Sequence, residues 1–227
     1  MKILSIGDIH GRNKWKTIIQ GDEDLVIFVG DYCDAYEVED HYIIQNLINI
    51  INYKKNNMDK VILLLGNHEC QYLFNYTTHG CSGFRSSMYE GLHQILNDNK
   101  NLFIVSYQID NYIWSHAGIS EHWYKKFLQI AHPDLEGNLS QKINDTFNSS
   151  KEWIICQVGE SRGGLRGDWG GPLWADAAET MLSPMQNFIQ IVGHTPQPYI
   201  KTIGNYTYID VLQHSTVGYI LEINKDE

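Results

Sequence analysis

Five short apolar runs in this chain each pass through a glycine or serine straight into side chains that bind cations: Gly7-Asp8-Ile9-His10-Gly11, Gly30-Asp31-Tyr32-Cys33-Asp34, Gly66-Asn67-His68-Glu69, Ser115-His116-Ala117-Gly118 and Gly193-His194-Thr195. The runs themselves, residues 3–6, 25–29, 61–65, 112–114 and 188–192, read as strands buried on both faces. In α/β sheets, ligands gather at the carboxyl ends of strands, so residues distant in sequence converge there. Glycine beside nearly every polar residue fits, because the backbone must turn sharply and approach closely. Taken singly, Asp8 and Asp31 would read as helix N-caps, Asn67 as a turn residue, and His116 or His194 as core histidines. Their joint occurrence at five strand ends points instead to one set of ligands for a pair of divalent cations.

The 227 residues suit a single domain, 1–227, with a substantial core. No eighteen-residue apolar run is present, and an acid and a histidine interrupt the opening MKILSIGDIHG, so a cytoplasmic protein without a membrane span is expected. Cysteines 33, 70, 81 and 156 lack zinc-type pair spacing and make a thin disulfide framework, which favours reduced thiols in packing roles. A net charge of −10 opposes loose attraction to nucleic acid or an anionic membrane. A pair of divalent ions offsets about four of those charges and presents an anionic substrate with a locally positive centre.

Residues 37–57 carry Ile44, Leu47, Ile48 and Ile51 at helical spacing, with acids at the start and Lys54 and Lys55 at the end. This predicts a helix covering parallel strands in a β-α-β-α-β opening. Helices are also predicted at 67–74, at 86–96 and over much of 121–157. The six glycines of 159–171, with Arg162 and Arg166, predict a mobile loop. Strands return at 188–192, 199–203, 206–212 and 217–223, with Gly204-Asn205 as a hairpin turn and antiparallel pairing between successive strands. The fold class is α/β (α+β in some schemes).

The ordered set GDIHG, GDYCD, GNHE, SHAG and GHTP resembles the calcineurin-like metallophosphoesterases, and within them the phosphoprotein-phosphatase branch of phage, bacterial and eukaryotic serine/threonine phosphatases. The resemblance spans residues 2–212. It implies a four-layer α-β-β-α sandwich with two mixed sheets. It implies that Asp8 and His10 hold a first ion, that Asp31 bridges two, and that Asn67, His116 and His194 hold the second. Oxygen and imidazole donors together suit manganese, with iron, zinc or nickel as alternatives. Cations only about 3.5–4 Å apart need an anion between them, and water held there becomes a hydroxide nucleophile near neutral pH. His68 is the general-acid candidate and Asp34 its orienting partner. Glu69 is expected to act behind the ligands, and Trp174 and Asp176 to shape the pocket. His41, His79, His93, His122, His132 and His214 have no such support, with His79 and His214 as weak rim candidates.

One departure matters for substrate choice. The second motif of the serine/threonine phosphatases and of diadenosine-polyphosphate hydrolases continues into Arg-Gly, the arginine gripping phosphate; here Ala35-Tyr36 follows. Arg85 and Arg162 are the substitutes from this chain, with Arg166 a weaker one. The expected substrate is a phosphorylated protein or a small phosphate ester, with phosphoserine and phosphothreonine leading. Nucleotide or diadenosine polyphosphate hydrolysis is the alternative, and a non-catalytic binding module a distant third. The sequence carries no signal for oligomeric state.

Overall fold

The computed structural model describes residues 1–74, 81–131 and 136–223, which form two compact units. Among the described residues no helix is long and apolar enough to cross a membrane.

The first unit, Met1–Phe103 with Val211–Glu227, carries a mixed five-stranded sheet. Its strands are β1 (Lys2–Ile6), β2 (Leu25–Phe28), β3 (Val61–Leu64), the short β4 (Phe103–Ile104) and, returning from the end of the chain, β10 (Tyr219–Glu222). The order is β10-β1-β2-β3-β4. Parallel pairing sets Ile3 against Leu25 and Val26 against Val61, while β10 runs antiparallel to β1. All four residues of β2 are buried, as its uninterrupted apolar sequence predicts for a strand covered on both faces. Among the described residues the helices here of more than one turn are α2 (Asp40–Asn56), α3 (Asn67–Phe74) and α4 (Tyr89–Asp98), after the single-turn α1 (Trp15–Ile18).

Helix α2 begins at Asp40 rather than 37, with Glu39 as its extended N-cap residue. The buried stripe is Ile43, Leu47, Ile50, Ile51 and Lys54, and Ile44 and Ile48 lie on its margin. That face is turned by part of a residue step from the one the isoleucine spacing predicts. The reason is polar: Asn46 faces inward to accept from Trp15 Nε1 at 3.0 Å, and Lys54 Nζ donates to the carbonyls of Met58 and Val61, each at 2.6 Å.

The second unit, Ile104–Asp210, carries the other mixed sheet. Its strands are β5 (Ser106–Ile109), β6 (Tyr112–Ser115), β7 (Ile189–Val192), β8 (Lys201–Ile203) and β9 (Tyr206–Tyr208), in the order β5-β6-β7-β9-β8. Its helices are α5 (Glu121–Ile130), α6 (Leu139–Phe147), α7 (Glu152–Ile155) and α8 (Ala177–Leu182). Ser120 caps α5, Asp176 caps α8, and Asn138 with Gln141 forms a capping box on α6. Two mixed sheets are what the metallophosphoesterase sandwich calls for.

The antiparallel expectation for the late strands holds only at β8–β9, where Gly204 takes φ 57 at the first turn position, as glycine in that place allows. Strand β9 is parallel to β7, and β10 joins the sheet of the first unit. Strand β5 escapes the apolar-run criterion because Ser-Tyr-Gln-Ile is half polar; it forms a hairpin with β6 through Asp110 at φ 51.

Candidate active site

In the first unit the chain leaves β1 at Gly7 and buries Asp8. Two residues on, His10 takes a left-handed φ of 43. Its Nδ1–H donates to the carbonyls of Asp34 (2.7 Å) and Cys33 (3.0 Å), which fixes the tautomer and presents Nε2 to Asp31 Oδ2 at 3.7 Å. Burial lowers the His10 pKa against the opposing pull of Asp31, so the ring is neutral, as a ligand must be.

Asp31 sits at φ 52 directly after Gly30 at φ 103, a conformation that the surroundings must impose on an aspartate. Glu69 imposes it. The buried Glu69 carboxylate accepts from the backbone N–H of Asp31 (2.9 Å), Tyr32 (2.8 Å), Cys33 (3.1 Å) and Gly66 (2.9 Å), joining the second and third motifs through one side chain. Gly66 lies so close that a β-carbon there would stand 2.1 Å from Asp31 Oδ1. The first amide of α3 beyond Asn67, that of His68, donates to Asp31 Oδ1 at 3.2 Å.

His68 donates from Nδ1 to Asp34 Oδ2 at 2.8 Å, and its Nε2 lies 3.8 Å from Asp31 Oδ2. Asp34, wholly buried at φ 55, also accepts from Gln71 Nε2 at 2.5 Å and from the Tyr72 hydroxyl. Burial pulls the His68 pKa down, but the Asp31 charge and the Asp34 hydrogen bond outweigh it and raise it to about 9. An imidazolium gives up protons and does not ligate metals, which separates the role of His68 from that of His10.

Asn67 is buried and gives its Nδ2 to Cys81 Sγ at 3.3 Å, so a cation here would meet its oxygen end. Cys81 in turn donates its backbone N–H to Gln71 Oε1 at 3.2 Å. Arg85, a phosphate-grip candidate, has its guanidinium on Asp40 Oδ1 (2.5 Å) and the carbonyls of Ala35 (2.5 Å) and Val38 (2.6 Å).

In the second unit, His116 follows β6 and His194 follows β7, and because these strands are parallel neighbours both side chains emerge at the same sheet end. His116 Nε2 and His194 Nδ1 are 3.1 Å apart, and both rings are buried. His194 sits at φ 63, and the Trp174 ring stands edge-on to it with centroids 5.9 Å apart. Arg162 pairs through Nε with Asp176 Oδ2 at 2.7 Å and donates to Thr195 Oγ1 at 2.9 Å, so the glycine-rich loop is tied beside the fifth motif. Arg166 and His214 are exposed, His122 stacks on Trp169, and His93 bonds the Tyr72 carbonyl. His79 and His132 lie outside the described residues.

The donor chemistry fits divalent cations. His10 Nε2 and Asp31 Oδ2 are 3.7 Å apart, and His116 Nε2 and His194 Nδ1 are 3.1 Å apart; two donors each about 2.1 Å from a shared ion are about 3–4 Å apart. Sequence reasoning found the residues that face this cluster and missed the ones behind it. Gln71, Tyr72 and Cys81 carry no motif, and their spacing reads only as a short helix and a loop.

Residues 1–221 match the family described as calcineurin-like phosphoesterase. Among solved structures, the cold-active protein-tyrosine phosphatase of the psychrophile Shewanella sp. shares 17% identity, with 92% of this chain and 71% of that one covered at a TM-score of 0.55. A second cold-active protein tyrosine phosphatase structure gives 18%, 96%, 72% and 0.56. A serine/threonine phosphatase from Saccharomyces cerevisiae gives 15%, 92%, 66% and 0.51. At these identities the likeness is one of fold. No curated protein matches. The five motifs, the cation-spaced donors and the family match across nearly the whole chain agree, and the chain belongs to the calcineurin-like phosphoesterases, hydrolases of phosphate esters.

Proposed function

We propose that the chain is a binuclear phosphomonoesterase of the serine/threonine protein phosphatase type, acting as a single domain in the cytoplasm. Asp8, His10 and Asp31 would hold one divalent ion, and Asp31, Asn67, His116 and His194 would hold a second. Manganese is the first choice, with iron, zinc or nickel as alternatives. Such ions supply Lewis acidity to the phosphate oxygens and lower the pKa of attacking water. The chain's own residues do the rest. Glu69 and Gly66 fix Asp31, two carbonyls hold His10 in the ligand tautomer, and His68 carries a proton on Nε2. Water attacks phosphorus, the bond from phosphorus to the leaving oxygen breaks, and that proton passes to the leaving oxygen while Asp34 stabilises the ring.

The observation that carries this reading is the division of labour between two histidines near one carboxylate: half-buried His10, neutral with Nε2 toward Asp31, and buried His68, protonated on Asp34. Four free cysteines support the cytoplasmic setting. Arg85 and Arg162 remain the phosphate-grip candidates, and each would have to exchange a present partner for phosphate. Nucleotide or diadenosine polyphosphate hydrolysis is a second reading, favoured by Ala35-Tyr36 where Arg-Gly would stand. Alanine at Asp31 or His116 should abolish metal-dependent hydrolysis of 4-nitrophenyl phosphate, and retained activity would reject the ligand set. Turnover of phosphopeptides beside nucleotides separates the two substrate readings.

A further inference from the structure

A groove of about 490 Å³ runs along the first unit between α1 and α2. It starts at Gly11 and Arg12, the two residues that follow His10. Tyr42, Gln45, Asn46 and Asn49 form its other wall, at i, i+3, i+4 and i+7 on one stripe of α2. That stretch of helix spans about 10 Å, the length of about three residues of extended peptide. The groove is preformed: buried Asn46 accepts from Trp15 Nε1 and donates from Nδ2 to the Arg12 carbonyl, each at 3.0 Å, which ties α2 both to α1 and to the first motif.

Its chemistry is cationic. Arg12, Lys14 and Lys16 line it, and among the described residues that do so none is acidic, in a chain whose net charge is −10. Lys14 Nζ donates to the carbonyls of Leu212 (2.5 Å) and Ser215 (3.1 Å), neutral acceptors that hold the ammonium in place and leave its charge uncancelled. Lys16 is exposed, and Arg12 pairs with the half-exposed Glu37. The head of the groove adjoins the first motif: Arg12 N–H donates to the Ile9 carbonyl (2.8 Å) and Gly11 N–H to that of Tyr32 (3.1 Å), so the turn that carries His10 also opens the groove. Successive Cα atoms are 3.8 Å apart, which keeps the Arg12 Cα within about 7.6 Å of that of His10. Tyr42, at 60% exposure, is the one aromatic ring among the described lining residues, whereas a nucleic-acid groove interleaves its cations with stacking platforms.

We infer that the groove between α1 and α2 docks an acidic segment of a peptide or protein substrate, its carboxylates meeting Arg12, Lys14 and Lys16. The inference rests on the phosphomonoesterase reading and adds to it a preference for phosphorylated residues with acids one to three positions away, since extended peptide advances about 3.3 Å per residue. Contacts to exposed cations of this kind weaken as salt is added.

The test compares two phosphoseryl peptides, one flanked by aspartates and one by asparagines, with the manganese-loaded enzyme. KM should be lower for the aspartate peptide at similar kcat, and the advantage should shrink as ionic strength rises. Lys16→Gln should reduce that advantage about two- to fivefold, the contribution of one exposed ion pair, and Gln45→Glu, which brings an acid onto the groove wall, should reduce it at least as much. The ratio between the two peptides in one enzyme sample cancels any loss of folded protein. A fluorescein-labelled, unphosphorylated aspartate peptide, followed by anisotropy, should bind the wild-type chain and bind both variants more weakly. No advantage in the wild type, an advantage that survives both substitutions, or tighter binding of a single-stranded oligonucleotide of equal charge would overturn the groove while leaving the phosphatase reading intact. A wild-type enzyme that cleaves no phosphate ester with metal present would overturn the phosphatase reading, and the anisotropy titration then decides the groove by itself.

Discussion

The Tyr72 hydroxyl bonds Asp34 Oδ1 while His68 Nδ1 bonds Asp34 Oδ2, so a single buried carboxylate ties a phenol to the candidate general acid. Gln71 supplies a third donor, so both oxygens of Asp34 are held. Tyr72→Phe removes one donor and keeps the ring that packs on Phe84 and Tyr89. Its effect should depend on the leaving group: an alkyl phosphate, which needs protonation, slows about tenfold or more, while 4-nitrophenyl phosphate changes little. Equal slowing of both substrates would mean that Tyr72 serves structure alone.

Glu69 should prove a determinant of stability. Four backbone amides of the second and third motifs end on its carboxylate, and buried amides left without an acceptor cost about 1–3 kcal/mol each. Glu69→Gln, which turns an amine toward some of those donors, should lower the unfolding free energy by about 2–4 kcal/mol. Denaturant titration in excess chelator measures this without interference from bound ions. A change below about 0.5 kcal/mol would contradict the role.

Stability of the metal-free protein should depend on pH through the two histidines. The folded pKa of His68 is raised from 6.5 to about 9, so its contribution is complete below 6.5 and is lost as pH climbs to 9. The folded pKa of His10 is lowered, so stability falls as pH drops below 6.5. The optimum lies near pH 6.5, with about 3 kcal/mol lost by pH 9. Asp34→Asn should flatten the alkaline side. Divalent ions on Asp31 should flatten it too, since they cancel the charge that helps raise His68. A metal-free protein equally stable at pH 6.5 and 9 would contradict these environments.

Much of the site was legible because each ligand candidate follows a strand whose apolar run is unmistakable, and parallel pairing does the converging. The left-handed backbone of His10, Asp31, Asp34 and His194 was not legible, because it depends on acceptors far along the chain, such as Glu69 for Asp31. Tyr72 and Gln71 read only as two helical positions, and what makes them matter is Asp34, some thirty-eight residues upstream. Helix α2 was found but its inward face was misjudged, because Asn46 and Lys54 are buried for their hydrogen bonds. Strand β5 was missed because half its residues are polar.

The central claim is that Asp31 carries two cations at once. Crystals grown with manganese, with data collected at its absorption edge, test that most directly. The account predicts two anomalous peaks about 3.5–4 Å apart, both in contact with the Asp31 carboxylate, one also meeting Asp8 and His10 and the other Asn67, His116 and His194. A single peak at saturating manganese, or two peaks that do not share Asp31, would contradict it.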